Sequence, residues 1–192
     1  MARPGRHAMT PEAFVACATA NPINAALLAR LPALALPQCH LVAGCLFQAV
    51  WNARSGATPD HGIADYDIFY FDDDLSWEAE DAVIKRVAAL TADLGCVIQP
   101  RNQARVHLWY GERFGADYPR LRSAREGIDL YLVECTCVGI DVHDRALYAP
   151  NGLDDLESGI LRINPRNPRP ELFMAKAATY RTRWPWLTMI AP

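Results

Sequence analysis

The stretch Gly62-Ile63-Ala64-Asp65-Tyr66-Asp67-Ile68-Phe69-Tyr70-Phe71-Asp72 decides the fold. It is rich in aromatic and β-branched residues and is bounded by Gly and an acidic turn, which predicts a strand over 64–71. Residues two apart on a strand share a face. Asp65 and Asp67 therefore point the same way, with Cα atoms about 6.5 Å apart. Ile63, Phe69 and Phe71 belong to that face too, so the two carboxylates sit beside large apolar side chains. Holding like charges that close is costly unless a cation neutralises them. A hard divalent ion, Mg²⁺ or Mn²⁺, takes oxygen ligands and meets that need. Taken alone, Asp-x-Asp equally fits an edge strand with its polar side in water.

Upstream lies Leu41-Val42-Ala43-Gly44-Cys45-Leu46-Phe47-Gln48-Ala49-Val50-Trp51-Asn52-Ala53-Arg54-Ser55-Gly56. It reads as an apolar strand over 40–43, a turn at Gly44-Cys45 and a helix over 45–55 closed by Gly56. A small-residue turn lets backbone N–H groups approach a phosphate, and the helix N-terminus adds positive potential. Strand, turn, helix, then a strand bearing two carboxylates is a layout for phosphoryl or nucleotidyl transfer.

The chain resembles the nucleotidyltransferase superfamily of DNA polymerase beta-type fold, and within it a small bacterial nucleotidyltransferase-like family. The residues that carry the resemblance are Ala43 to Asn52, His61 to Asp72, Arg101 to Tyr110, Cys135-Thr136-Cys137-Val138-Gly139, Ala149 to Leu156 and Arg183-Trp184-Pro185-Trp186-Leu187. Cys45 stands where the superfamily has Ser or Gly, which a backbone N–H contact tolerates. The interval from turn to acidic pair, residues 46–64, is long for the superfamily, and a longer helix plus the loop 57–61 accommodates it. The resemblance implies an α/β (α+β) fold, a mixed twisted sheet flanked by helices. It implies metal-dependent movement of a nucleotide from an NTP to an acceptor (a small molecule, a protein or RNA). Asp65 and Asp67 would hold the metal, and Gly44 and Cys45 the phosphate.

The superfamily draws a third carboxylate from a strand beside the Asp-x-Asp strand. Here the expected stretch is 104–110, with Arg105, His107 and Trp109 on one face and no acid. Arg105 is expected to grip phosphate, and His107 to act as neutral ligand or general base. The alternative for this pair is a structural role at a sheet rim. Asp129, Glu134 and Asp141 are the other candidate acids. Because the third acid is not evident, two further readings stand beside the transferase: a non-catalytic nucleotide- or protein-binding module, and a metal-dependent phosphohydrolase.

The rest of the chain frames this unit. Half of its 192 residues are apolar and 21% are charged, as in a globular protein. A net charge of −3 and a pI near 5.9 argue against broad nucleic-acid binding. No apolar run approaches the roughly 18 residues of a membrane span. The basic start, residues 1–7, is followed by no apolar segment of a leader, so a cytoplasmic setting is expected. The six cysteines lack zinc spacing and read as reduced, buried residues.

One domain is expected over 1–192, with N-terminal helices to 38, a core over 39–150 and a C-terminal helical extension over 151–192. Thr10 and Ser76 are expected helix caps, and Asn21-Pro22 breaks the first helical region. Asp72-Asp73-Asp74 reads as a turn, and Trp184-Pro185-Trp186 as a packing anchor. Lys176 and Arg181 on the last helix read as solvated surface within reach of the site.

Overall fold

The computed structural model describes residues 8–192, apart from the side chain of Phe114. The basic start at 1–7 lies outside the described residues. In chain order the elements are α1 (Pro11–Thr19), α2 (Pro22–Arg30), β1 (His40–Val42), α3 (Gly44–Arg54), β2 (Asp65–Tyr70), α4 (Trp77–Leu90), β3 (Val97–Asn102), α5 (Val106–Phe114), α6 (Ala124–Ile128), β4 (Gly139–Asp141), β5 (Leu147–Tyr148), α7 (Asp154–Ser158), β6 (Ile160–Leu161), α8 (Pro170–Arg183) and β7 (Thr188–Met189). Several ends follow from local chemistry. The Thr10 hydroxyl accepts from Ala13 N–H at 3.2 Å, the Asn21 amide oxygen from Ile23 N–H at 2.9 Å, and the Ser76 hydroxyl from Ala79 N–H at 3.2 Å. Each satisfies an N–H that the first helical turn leaves without a partner.

Five strands form one mixed sheet in the order β3-β2-β1-β4-β5. β2 runs antiparallel to β1 and parallel to β3. Alternation along β2 divides the molecule. Tyr66, Ile68 and Tyr70 are buried, while Asp65, Asp67 and Phe69 on the other face are partly covered. The first set joins Leu41 and Ile140 in a core that also takes Phe14, Leu27 and Leu28 from the two N-terminal helices, Trp51 from α3, and Phe173 and Ala177 from α8. No single helix among the described residues is long and apolar enough to cross a membrane. The apolar pair α1–α2 bends by 103° and packs into this core.

The last helix packs onto the core through Phe173, Ala177 and Tyr180. Trp184 is buried against Trp51, with ring centroids 5.2 Å apart, and its indole N–H donates to Asn52 Oδ1 at 3.1 Å. The Trp186 indole donates to Ser55 Oγ at 2.9 Å. The two tryptophans are thus a packing anchor. The acidic run 72–74 is a turn: the Asp72 carboxylate accepts from Asp74 N–H and the Asp74 carboxylate from Ser76 N–H, both at 2.9 Å.

One stretch departs from the sequence expectation. Residues 104–110 form no strand; they enter α5, which starts at Val106 and ends on Gly115 in the left-handed region (φ 64°). The strand beside β2 is β3, which continues through Pro100 to Asn102. Proline cannot donate to a sheet ladder, so it suggests a strand end. β3 is an edge strand, and an edge leaves room for the missing donor.

Candidate active site

The face of the sheet that carries Asp65 and Asp67 forms one wall of a cavity of about 490 Å³. Ala43, Gly44, Phe47 and Gln48, from the start of α3, form its upper edge. Val106, Trp109 and Tyr110 come from one side of α5, at helical spacing. Tyr131, Val133 and Thr136 come from the segment after α6, and Lys176 and Tyr180 from α8.

The turn before α3 is strained. Ala43 sits at φ 64°, ψ −142°, a region that favours glycine, and its carbonyl accepts from Leu46 N–H at 3.1 Å. A Cβ on Gly44 would collide with the Gln48 side-chain amide. That amide is held in place, because Gln48 Oε1 accepts from Arg183 Nη1 at 2.8 Å. A side chain at position 44 would therefore push that amide out of its bond to Arg183. Cys45 turns the other way. It is fully buried, its thiol donates to Val42 O at 3.2 Å, and burial pushes the thiol well up from its ordinary value. Its side chain is a small packed group, so only its backbone reaches the helix end.

Asp67 is the perturbed carboxylate. Burial, reinforced by the charge of Asp65, pushes it up to about 6. Arg101 and Lys176 pull the other way, less strongly. Asp65 Oδ2 accepts from Gln99 Nε2 at 3.1 Å, and Gln99 Oε1 accepts from Arg101 Nη2 at 3.4 Å. Tyr131 stands beside this pair, its ring edge-on to Phe69 with centroids 6.0 Å apart. Its buried hydroxyl has no hydrogen-bond partner among the described residues. Burial first, then the charges of Asp67 and other neighbours, push that phenol well up.

The structure brings Asp65, Asp67 and the Gly44 turn together and leaves other sequence candidates out. Arg105 is buried in an ion pair with Glu80, and its Nε donates to Leu75 O at 2.9 Å. It does not face the acidic pair. His107 lies on α5 away from the cavity wall, with a buried Nδ1 that has no partner among the described residues. Only Trp109 of that expected trio lines the cavity. Asp129 is engaged by Arg166 and by the Tyr148 hydroxyl at 2.8 Å. Asp141 lies near His40, 3.8 Å from its Nε2, and accepts from His143 N–H at 2.8 Å. Glu134 is not on the cavity wall. Among the described residues no three Asp, Glu, His or Cys side chains cluster as metal ligands.

A family model for nucleotidyltransferases matches residues 29–189. The chain belongs to this nucleotidyltransferase family. A solved structure, obtained by NMR and reported to reveal a CCA-adding enzyme head domain, is similar with a TM-score of 0.72 and 23% identity. The match covers 96% of this chain and 97% of that one, and at that identity it shows a common fold. No curated protein matches the sequence. Within the nucleotidyltransferase fold, the sequence reading missed Gln48, Gln99, Arg101 and Tyr131. Period-2 alternation from Val97 onward would have put Gln99 and Arg101 on one face, had Pro100 been allowed on an edge.

Proposed function

We propose that this chain transfers a nucleotide from an NTP to an acceptor hydroxyl. The observation that carries the reading is the placement of Asp65 and Asp67 on the wall of a cavity that the N-terminus of α3 also enters. The first turn of a helix presents N–H groups without intrahelical partners and a positive dipole end, which suit a phosphate. The aromatic walls, Phe47, Trp109, Tyr110, Tyr131 and Tyr180, exclude water and offer flat faces to a base.

The donor set fits a divalent cation, Mg²⁺ or Mn²⁺. Mg²⁺ is held by one or two carboxylates together with substrate phosphates, so two aspartates suffice once the NTP is present. The raised Asp67 carboxyl marks a pair that lacks compensating charge. Bound by Asp65 and Asp67, the ion would polarise the phosphoryl group and neutralise its charge. The protein's own part is to aim the carboxylates, which the Gln99 amide does for Asp65.

The acceptor is a small molecule, a protein or RNA, and the acidic balance of the chain disfavours broad nucleic-acid binding. The six free cysteines support a reducing, cytoplasmic setting. A second reading, a nucleotide-binding module without catalysis, is favoured by one observation: β3 offers Gln99 and Arg101, and no acid, beside Asp67 and Phe69.

The deciding experiment incubates the protein with labelled NTPs, Mn²⁺ or Mg²⁺, and either cell extract or transfer RNA. Transfer of label with pyrophosphate release, lost in Asp67→Asn, is expected. Binding without pyrophosphate release across metals and extracts selects the module, and release of inorganic phosphate selects a hydrolase.

A further inference from the structure

Two strands flank the carboxylate pair, and their side chains on the same face fix its charge. On β1, Val42 is opposite Asp67 and His40 opposite Phe69. On β3, Gln99 is opposite Asp67 and Arg101 opposite Phe69. The neighbours are thus an isopropyl group, an imidazole, an amide and a guanidinium. Two carboxylates are enough to hold one divalent ion on a phosphate, and neither flanking strand places a further carboxylate beside them to hold a second. An NTP brings several further negative charges into the same cavity, and these need another source of cations.

Arg101 and Lys176 are the cationic residues among the described residues that line the cavity. They enter from different walls, one from edge strand β3 and the other from α8. Neither is within ion-pair distance of a carboxylate among the described residues. Other cations nearby are engaged elsewhere: Arg105 by Glu80, Arg166 by Asp129, and Arg183 by Gln48 and the His61 carbonyl. Arg101 is steered by Gln99, which links it through one amide to Asp65. Lys176 lies over the Tyr180 ring, its Nζ 5.4 Å from the centroid.

We infer that Arg101 and Lys176 form the triphosphate clamp of this site and that the complex carries a single divalent ion. The inference rests on the NTP reading above. Arg101 presents a planar fork that can bind two phosphate oxygens, and Lys176 adds a mobile point charge from the opposite side. The C-terminal segment thereby supplies part of the ligand site, and its tryptophan anchor fixes where Lys176 stands.

The test uses the full chain, Mn²⁺, the four common NTPs and inorganic tripolyphosphate. NTP affinity is measured by calorimetry, bound Mn²⁺ by electron paramagnetic resonance, and folding by circular dichroism. The wild type is expected to bind an NTP with a single Mn²⁺, in competition with tripolyphosphate. Arg101→Gln and Lys176→Gln should each weaken NTP binding by roughly tenfold or more, the effect of losing a charge-assisted contact. Both should keep their melting curves, and Arg101→Lys should recover part of the affinity. Arg101→Asp should raise the Mn²⁺ count in the NTP complex, by supplying the missing acid.

Two bound Mn²⁺ in the wild type would overturn the inference. So would wild-type affinity in both glutamine variants while Asp67→Asn abolishes binding, and that result would leave the NTP reading standing. A wild type that binds no NTP under any condition would remove the NTP reading and the clamp together.

Discussion

Two places in this molecule hold carboxylates out of water, and they do so in opposite ways. Near the ends of β2 and β3, Glu80 is 3% exposed and fully engaged. It pairs with Arg105 and accepts from Asn102 N–H at 2.9 Å. Asn102 in turn ties Asp72 N–H and Ala104 N–H to its Oδ1, at 3.0 and 3.1 Å. A few residues back along the same strand, Asp67 has no ion-pair partner among the described residues, and its carboxyl is pushed up to about 6. The first arrangement spends its arginine on stability and leaves no charge for a ligand. The second leaves a charge deficit inside a cavity, where a metal and an NTP can supply the compensation. A buried acid is structural where its neighbours satisfy it and a candidate site where they do not.

The largest expected effect lies in the satisfied region. Arg105→Met leaves Glu80 charged and buried, and should cost about 3–5 kcal/mol in urea unfolding. A cost below about 1 kcal/mol would show that the pair is not a buried structural bridge and would collapse the contrast.

Asp67→Asn should do the reverse. The folded carboxyl holds its proton more tightly than the unfolded one, whose value is near 3.8. The native state therefore loses stability as pH rises from about 4 to about 6, and the whole penalty is present above that window. With chelator present, the variant should be roughly 1–3 kcal/mol more stable than wild type at pH 8 and equal to it below pH 4. It should also lose the stabilisation that Mn²⁺ gives the wild type. A variant no more stable at high pH would mean that Asp67 is already compensated.

A smaller effect is expected at the strained turn. Ala43→Gly removes the positive-φ penalty and should raise stability by roughly 1 kcal/mol, partly offset by the greater freedom of glycine in the unfolded chain. Thermal melting checks it, and a lower melting temperature would indicate that the Ala43 methyl is needed for packing.

The smallest effect sharpens the boundary of the site. His107→Ala should leave nucleotide transfer within about twofold, because a general base that was removed would cost about 10²–10⁴-fold. A large loss of pyrophosphate release would return His107 to the chemistry.

Much of this architecture was legible from local pattern. The caps at Thr10 and Ser76, the break at Asn21-Pro22 and the strand–turn–helix from Leu41 to Arg54 need only near neighbours in the chain. So does the shared face of Asp65, Asp67 and Phe69, because a period of two is a property of any strand. The stretch 104–110, expected as a strand with Arg105, His107 and Trp109 on one face, misled for the same reason. A short apolar run fits either period, and only packing of Val106, Trp109 and Tyr110 around the cavity makes it a helix.

The sequence by itself determined the acidic pair, the glycine turn that precedes it and the family to which both belong. Tertiary structure alone decided what surrounds them. Which strand lies beside β2 is a pairing between distant segments, so no local signal could reveal that Gln99 and Arg101 stand next to Asp67 and Phe69. The docking of α8, which brings Lys176 to the cavity from more than a hundred residues away, is equally non-local. Whether a charged side chain is spent on a buried partner, as Arg105 is, or left facing a cavity, as Arg101 is, depends on what the folded chain places within a few ångströms of it.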